Sequence, residues 1–315
     1  MTGWNIAELW ETVAAKFPDA PAHIHGDRTI LWHETDARAN GLARTFLDAG
    51  AEQQDKVALY LYNAPEYLET SYAAYKAGLV PVNTNYRYVD DELLYLWDNA
   101  DAVAVVFHGE FVPTIERIRD RLPKVKTWIW VDDGTNARPE WAIDYEHAAT
   151  PLTDKVEAPW GRSGDDLVMI YTGGTTGMPK GVMWRQEDLM MATIAVSLPR
   201  LAEGNGNISY EEVLEAQTEP GGAGIPACPL MHGTGWFMGN LFLSNGGCCV
   251  TLESRKLNPA EILSTIERRK VQSLAMVGDA FGRPLVNELD ANPGRYDISS
   301  LVIISSSGVM WSEAN

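Results

Sequence analysis

Tyr171-Thr172-Gly173-Gly174-Thr175-Thr176-Gly177-Met178-Pro179-Lys180-Gly181-Val182 decides the reading of this chain of 315 residues. An apolar run, 167–170, leads into it as a buried strand would. Four glycines then free the backbone to turn tightly and aim successive N–H groups at an anion. Thr172, Thr175 and Thr176 add hydroxyl donors. Lys180 brings a positive charge able to follow a phosphate as charge shifts, and Pro179 narrows the conformations of the segment that carries it. Read this way the segment is a phosphate cradle and points to an enzyme that uses ATP. A Gly/Thr-rich surface loop is the plain alternative; it accounts for the glycines but not for Tyr-Thr before them and Pro-Lys-Gly after them. The spacing is neither the GxxxxGK[ST] of a P-loop, since Gly181 follows Lys180, nor the GxGxxG of a dinucleotide fold.

Outward from the cradle, apolar periodicity alternates between helix and strand. Towards the N-terminus it predicts a helix over 6–17, a hairpin of 23–25 with 29–32, a helix over 34–47 and a strand over 57–62. Helices over 64–76, 90–99 and 111–122 then alternate with strands over 80–82, 102–107 and 127–131. Residues 132–164 are richer in Pro, Gly and charge and are expected to form a surface connection. Beyond the cradle follow strand 181–184, helix 187–198, and a segment 203–224 whose Gly/Asn-rich ends enclose a short helix, 210–217, as a lid or Ω-loop would. Strand 247–251, helix 259–269, strand 273–277, helix 279–289 and strand 301–305 complete the series. Ser312 reads as the N-cap of a further helix cut off at Asn315. Such alternation predicts an α/β fold with a mostly parallel sheet covered by helices.

A formal charge of −18 argues against nucleic acid and anionic membrane surfaces as partners. No apolar stretch approaches the roughly 20 residues that span a bilayer, and the N-terminus lacks a secretory pattern, so a cytoplasmic protein without stable membrane insertion is expected. Cys228, Cys248 and Cys249 form no CxxC pair and are expected to be buried thiols. His23, His25, His33, His108 and His147 show no metal-ligand spacing, and no protein metal site is predicted.

The run Tyr171 to Val182 resembles the phosphate-binding signature of the adenylate-forming superfamily, the acyl-CoA synthetases, luciferases and peptide-synthetase adenylation domains. The resemblance covers only the first part of that superfamily's large N-terminal domain. Its ribose-binding Asp, hinge, C-terminal lysine and small mobile C-terminal domain have no counterpart in residues 1–315. It implies that Thr172, Gly173, Gly174, Thr175, Thr176, Gly177 and Lys180 wrap the β- and γ-phosphates of ATP, with Mg2+ bridging them and Lys180 and Thr176 acting in catalysis. Pro229-Leu230-Met231-His232-Gly233-Thr234-Gly235-Trp236 resembles the superfamily's histidine or aromatic motif at the start of a helix beside the acyl pocket. That likeness implies His232 near the reacting carboxylate, Gly233 and Gly235 open to substrate, and Trp236 lining the acyl channel or packing. As a lone His followed by Gly, His232 also fits a helix-cap or packing role. Ser305-Ser306-Ser307-Gly308-Val309-Met310-Trp311-Ser312 resembles the small-residue turn against adenine, with Ser307, Gly308 and Val309 in place but Met310-Trp311 where Ala/Gly-Pro is common. An ordinary strand-to-helix turn is the alternative there.

Two further segments, Gly181-Val182-Met183-Trp184-Arg185 and Val277-Gly278-Asp279-Ala280-Phe281-Gly282-Arg283-Pro284-Leu285, resemble bacterial fatty-acyl and sterol side-chain CoA ligases. Asp279 itself reads as a helix N-cap. The implied activity is ATP-dependent ligation of a fatty or sterol-derived acid to coenzyme A through acyl-AMP, with the fragment alone inactive or impaired. Transfer to a carrier protein, or a non-catalytic nucleotide-binding module, are the alternatives. Oligomeric state, a homo-oligomer included, stays open.

Overall fold

The computed structural model describes residues 4–173, 178–197 and 210–312. Two sheets form the frame. The strands are β1 Pro21–His25, β2 Arg28–Leu31, β3 Lys56–Tyr60, β4 Val80–Asn83, β5 Ala102–His108, β6 Thr127–Val131, β7 Ile143–Asp144, β8 Leu167–Thr172, β9 Lys180–Arg185, β10 Ala223–Pro226, β11 Cys248–Thr251, β12 Ser273–Met276 and β13 Ile303–Ser306. One sheet has the order β7-β6-β5-β3-β4-β8-β9 and the other β13-β12-β10-β11-β1-β2. All pairings are parallel except the edge pairs β1 with β2 and β8 with β9.

Parallel strands buried on both faces carry apolar residues at successive positions, and period-two geometry divides them between two layers. Val57, Leu59, Ala104, Val106, Ile129, Val168 and Ile170 face one core. Ala58, Tyr60, Val105, Phe107, Trp128, Met169 and Tyr171 face another, under helices α4 Asp90–Asn99 and α5 Val112–Ile118. The first core also takes residues of α1 Ile6–Lys16, α2 Trp32–Asp48, α3 Pro65–Lys76, α7 Gln186–Ser197 and α9 Gly233–Ser244, together with Ala22 and Cys249 of the second sheet. Helices α10 Pro259–Arg269 and α11 Asp279–Ala291 cover that sheet's far face. The layers therefore run helix, sheet, helix, sheet, helix.

Helix α3 lies in the middle layer. Pro65 stands in its first turn, where a missing N–H leaves no helical bond unmade, and all twelve of its residues are buried. Its charges must therefore be paired. Glu69 takes Arg38 of α2 at 2.7 Å. The fully buried Lys76 reaches Glu11 of α1 at 2.7 Å and Asp36 of α2 at 2.8 Å. Burial alone would raise the Glu11 carboxyl, but Arg162 at 2.7 Å and Lys76 hold it down at about 2.

The alternating elements fall where periodicity places them, with ends that coincide or shift by at most two residues. Five segments stand apart. The run expected as helix 111–122 is α5 flanked by 3-10 turns at Gly109–Phe111 and Arg119–Arg121. The connection 132–164 contains β7 and α6 Tyr145–Ala148, too short to show a period, and Tyr145 is buried with its hydroxyl donating to Glu69 at 2.7 Å. The strand β10 occupies an interior position, although of Ala-Gly-Ile-Pro only Ile225 favours a strand. Gly224 is needed there because a Cβ would lie 2.6 Å from the Phe242 ring. Of the segment 203–224, residues 203–209 lie outside the described residues. The part from α8 Tyr210–Ala216 onward docks on the core through Leu214 and a bond from Gln217 Nε2 to Ser244 O of 2.8 Å. Finally, Ser312 donates through N–H and hydroxyl to Asp279 at 2.8 and 3.1 Å, and the helix expected after it lies outside the described residues. The three cysteines are buried, which pushes Cys228 to about 11 and Cys248 to about 12.

Because the Glu11 carboxyl is depressed in the folded state, its stabilisation is present above its unfolded value of 4.5 and is lost as pH falls towards 2. Glu11→Gln is expected to lose about 3 kcal/mol at pH 7 and to flatten the acid limb of stability between those two pH values, measured by urea denaturation across pH.

Candidate active site

The two arms of the cradle are the antiparallel pair β8 and β9 at one end of the seven-stranded sheet. Thr172 ends β8 and Lys180 begins β9, and the two residues are Cα partners. Thr172, Gly173 and Lys180 are exposed, and a Cβ on Gly173 would meet nothing within 4 Å. Gly174, Thr175, Thr176 and Gly177 lie outside the described residues. Buried anchors secure the arms. The Tyr171 hydroxyl donates to Asn99 at 2.7 Å, and the Tyr95 hydroxyl to the Pro179 carbonyl at 3.2 Å. Gly181 is a packing glycine, since a Cβ there would come within 3.0 Å of Met169 Sδ and the Tyr171 ring.

His232 stands at the N-cap of α9 with extended backbone and makes no side-chain cap bond. Its imidazole is exposed, and its pKa is lowered first by partial desolvation and then by the Arg87 guanidinium. The turn that presents it needs Gly235, where a Cβ would sit 2.3 Å from the Pro229 carbonyl oxygen. Gly233 is looser; a Cβ there first meets Phe237 at 3.7 Å. Trp236 is 3 % exposed and belongs to the central core, so it packs. The half-buried Phe237 beside it touches Trp184 of β9 edge-on, with ring centroids 5.4 Å apart.

Ser307, Gly308 and Val309 follow β13 and are exposed. Gly308 has φ +91°, and a Cβ on it would lie 3.9 Å from the Thr234 hydroxyl, which places this turn beside the His232 motif. The segment lies across the start of α11. There the Gly278 N–H donates to Ser306 at 2.9 Å, and a Cβ on Gly278 would strike Val309 at 2.4 Å.

Two side-chain amides absent from the motif reading hold these parts together. Asn63, after β3, donates to the Pro226 and Cys228 carbonyls at 3.3 and 3.1 Å and accepts from Leu230 N–H at 2.7 Å. Asn83, closing β4, bonds both Tyr171 and Met231. Their sequence signal is slight: each is a polar residue at or just after the carboxyl end of a buried strand.

A cleft of about 550 Å³ opens at the carboxyl ends of strands from both sheets, where open α/β sheets bind ligands. Tyr62, Tyr86, Arg87, His108 and Arg255 line it. Arg255 crosses between the sheets to Glu110 and to Asp133, the latter at 2.8 Å, with its guanidinium 4.5 Å from the Tyr62 ring centre. His108 Nδ1 accepts the Tyr62 N–H at 3.1 Å, and burial lowers the imidazole to about 4, so it is neutral at pH 7.

The arrangement brings together the exposed residues Thr172 and Lys180, a histidine and a small-residue turn, and the comparisons place it in a class. The AMP-binding enzyme family matches residues 10–314, and the chain belongs to that family. It is 33% identical over 326 residues to a medium-chain acyl-CoA ligase of Mycobacterium avium, covering 98% of this chain and 58% of that protein. It is 34% identical over 309 residues to a medium/long-chain-fatty-acid–CoA/3-oxocholest-4-en-26-oate–CoA ligase of Mycobacterium tuberculosis, covering 98% and 56%. The chain thus spans a little over half the length of these relatives. A solved long-chain-fatty-acid–CoA ligase of Archaeoglobus fulgidus shares the fold, with a TM-score of 0.80 at 20% identity over 98% of this chain and 59% of that one. Among the described residues no helix is long and apolar enough to cross a membrane.

Gly235→Ala is expected to cost about 1–3 kcal/mol through the clash with Pro229, whereas Gly233→Ala is expected to be tolerated; equilibrium denaturation of the two variants checks the pair.

Proposed function

We propose that these residues form the ATP- and acid-binding part of an AMP-forming carboxylate–CoA ligase whose substrates are fatty or sterol-derived acids. The observation that carries the proposal is the convergence of three segments. Thr172 and Lys180 frame one side, His232 stands on the loop tied to Tyr171 through Asn83, and Gly308 lies against Thr234. The relatives' printed activities supply the acid class. The reaction is proposed for a polypeptide of the relatives' length.

In the first step a carboxylate oxygen attacks the α-phosphorus of ATP, forming acyl-AMP and releasing pyrophosphate. Two anions must be brought together and the spreading charge stabilised. Lys180, at the edge of the sheet, follows the leaving pyrophosphate, and Thr172 and Gly173 supply donors from the other arm. Gly174, Thr175, Thr176 and Gly177 are proposed as the rest of the cradle. His232, held mostly neutral by its lowered pKa, donates a hydrogen bond to the acid without confronting Lys180 with a second full charge. Ser307, Gly308 and Val309 take the adenine. Mg2+ fits as a companion of the triphosphate oxygens, whose charge it offsets when bound; among the described residues no group of three His, Cys, Asp or Glu side chains forms a cage.

In the second step the coenzyme A sulfur attacks the acyl carbon, the thioester forms and AMP leaves. The cleft supports that reading because it adjoins the His232 loop at Pro229 and is lined by Arg87 and Lys256 for an anionic co-substrate, while its other cations, Arg28 and Arg255, are paired with Glu66, Glu110 and Asp133. Trp236 and Phe237 would then act differently, the first as core and the second as acyl-pocket wall.

In a chain extended to the relatives' length, carboxylate-dependent ATP–pyrophosphate exchange is expected with medium-chain, long-chain or sterol-derived acids. Lys180→Ala is expected to lower that exchange by about 100-fold or more. An unchanged rate would remove Lys180 from the phosphate site.

A further inference from the structure

We infer that Asn83 is a positioning residue that fixes the phosphate cradle and the His232 loop relative to one another. The inference rests on the proposed roles of those two segments and adds a residue that belongs to neither. The β4–β8 ladder has one register pair, Val82 with Met169, and beyond it the backbones part. The Asn83 side chain takes over. Tyr171 N–H donates to its Oδ1 at 2.7 Å, and its Nδ2 donates to the Tyr171 carbonyl at 3.0 Å, so one amide substitutes for a ladder partner at the last residue before Thr172. Nδ2 also donates to the carbonyl of Met231, the residue before His232.

A carboxamide has two N–H hydrogens, and here each has its own carbonyl. No other side chain reproduces the set. Asp accepts from Tyr171 but has nothing to donate to two carbonyls, and Gln is one methylene too long. Asn83 is 7 % exposed, so water is poorly placed to replace it, and its loss leaves backbone groups of Tyr171 and Met231 unpaired. Neighbouring bonds hold the rest of the loop: Tyr86 N–H to Met231 Sδ at 3.3 Å and Leu230 N–H to Asn63 at 2.7 Å. Releasing Asn83 therefore frees two motifs while the flanking loop stays attached.

The test compares Asn83→Ala with Asn240→Ala in the 315-residue chain. Asn240 is equally buried; it donates within α9 to the Trp236 carbonyl at 2.8 Å and accepts from the Tyr75 hydroxyl at 3.4 Å, so it touches the helix of the His232 motif but makes no hydrogen bond to Tyr171 or Met231. Two reporters are read without ligand by NMR: the amide resonances of Thr172 and Gly173, and the titration of the His232 ring, on which Arg87 is the charged influence. Both are expected to move in Asn83→Ala, the His232 midpoint upward towards its ordinary value, and neither in Asn240→Ala at a matched loss of melting temperature. Unmoved reporters in Asn83→Ala, or equal movement in both variants, would overturn the inference. Asn83→Ser, too short to reach either carbonyl, serves the same comparison if the alanine variant does not fold. ATP titration is a separate arm, in which Asn83→Ala is expected to weaken binding about tenfold or more. A wild-type chain that binds no ATP refutes the cradle reading, while the NMR reporters still decide the role of Asn83.

Discussion

Helix α3 is enclosed by both sheets and by its neighbouring helices, and each charge on it is matched by a partner: Glu66 by Arg28 of β2, Glu69 by Arg38 of α2, and Lys76 by Glu11 of α1 and Asp36 of α2. A lysine with no exposed surface is tolerable only because Glu11 and Asp36 meet it within 3 Å. This layer sets the separation of the two sheets. Because nearly all strands run parallel within each sheet, their carboxyl ends gather at one side, and the spacing imposed by α3 decides which loops can touch there. Asn63 and Asn83 reach from one sheet to the loop leaving β10 of the other; a sheet separation larger by one side-chain bond would break both contacts.

That geometry explains how an anion-binding loop and a histidine from distant parts of the chain come to share a site. The cradle arms are the last two strands of their sheet, and Thr172 and Lys180, the final pair between them, are exposed. The histidine begins a helix whose far end is buried against α1. The loops that present these groups are exposed, yet each is tied at its root by buried bonds, so the site combines access with fixed placement.

Much of this was readable in the chain itself. Val57 to Tyr60, Ala102 to Phe107 and Trp128 to Val131 are apolar at every position, as strands buried on both faces must be, and the helices between them carry a clear period. Membership of the AMP-binding family followed from twelve residues whose order is specific. The failures have physical causes. Tyr145 sits on a helix of four residues, too short for any period, and β10 is a strand because Gly224 makes room for Phe242, a tertiary fact that propensity opposes. Trp236 was readable as either pocket wall or core, and the layer beneath α9 assigns it to the core. Asn83 carries no local pattern at all, since its meaning lies in residues 88 and 148 positions away.

The central claim is that the cradle arms, His232 and the Ser307–Val309 turn form one adenylate site. A crystal structure of the chain with a non-hydrolysable acyl-sulfamoyl adenosine tests it most directly. The sulfamate is expected between Lys180 and His232 and the adenine against Gly308. An adenosine seated away from residues 307–309, or a sulfamate out of reach of both Lys180 and His232, would contradict it.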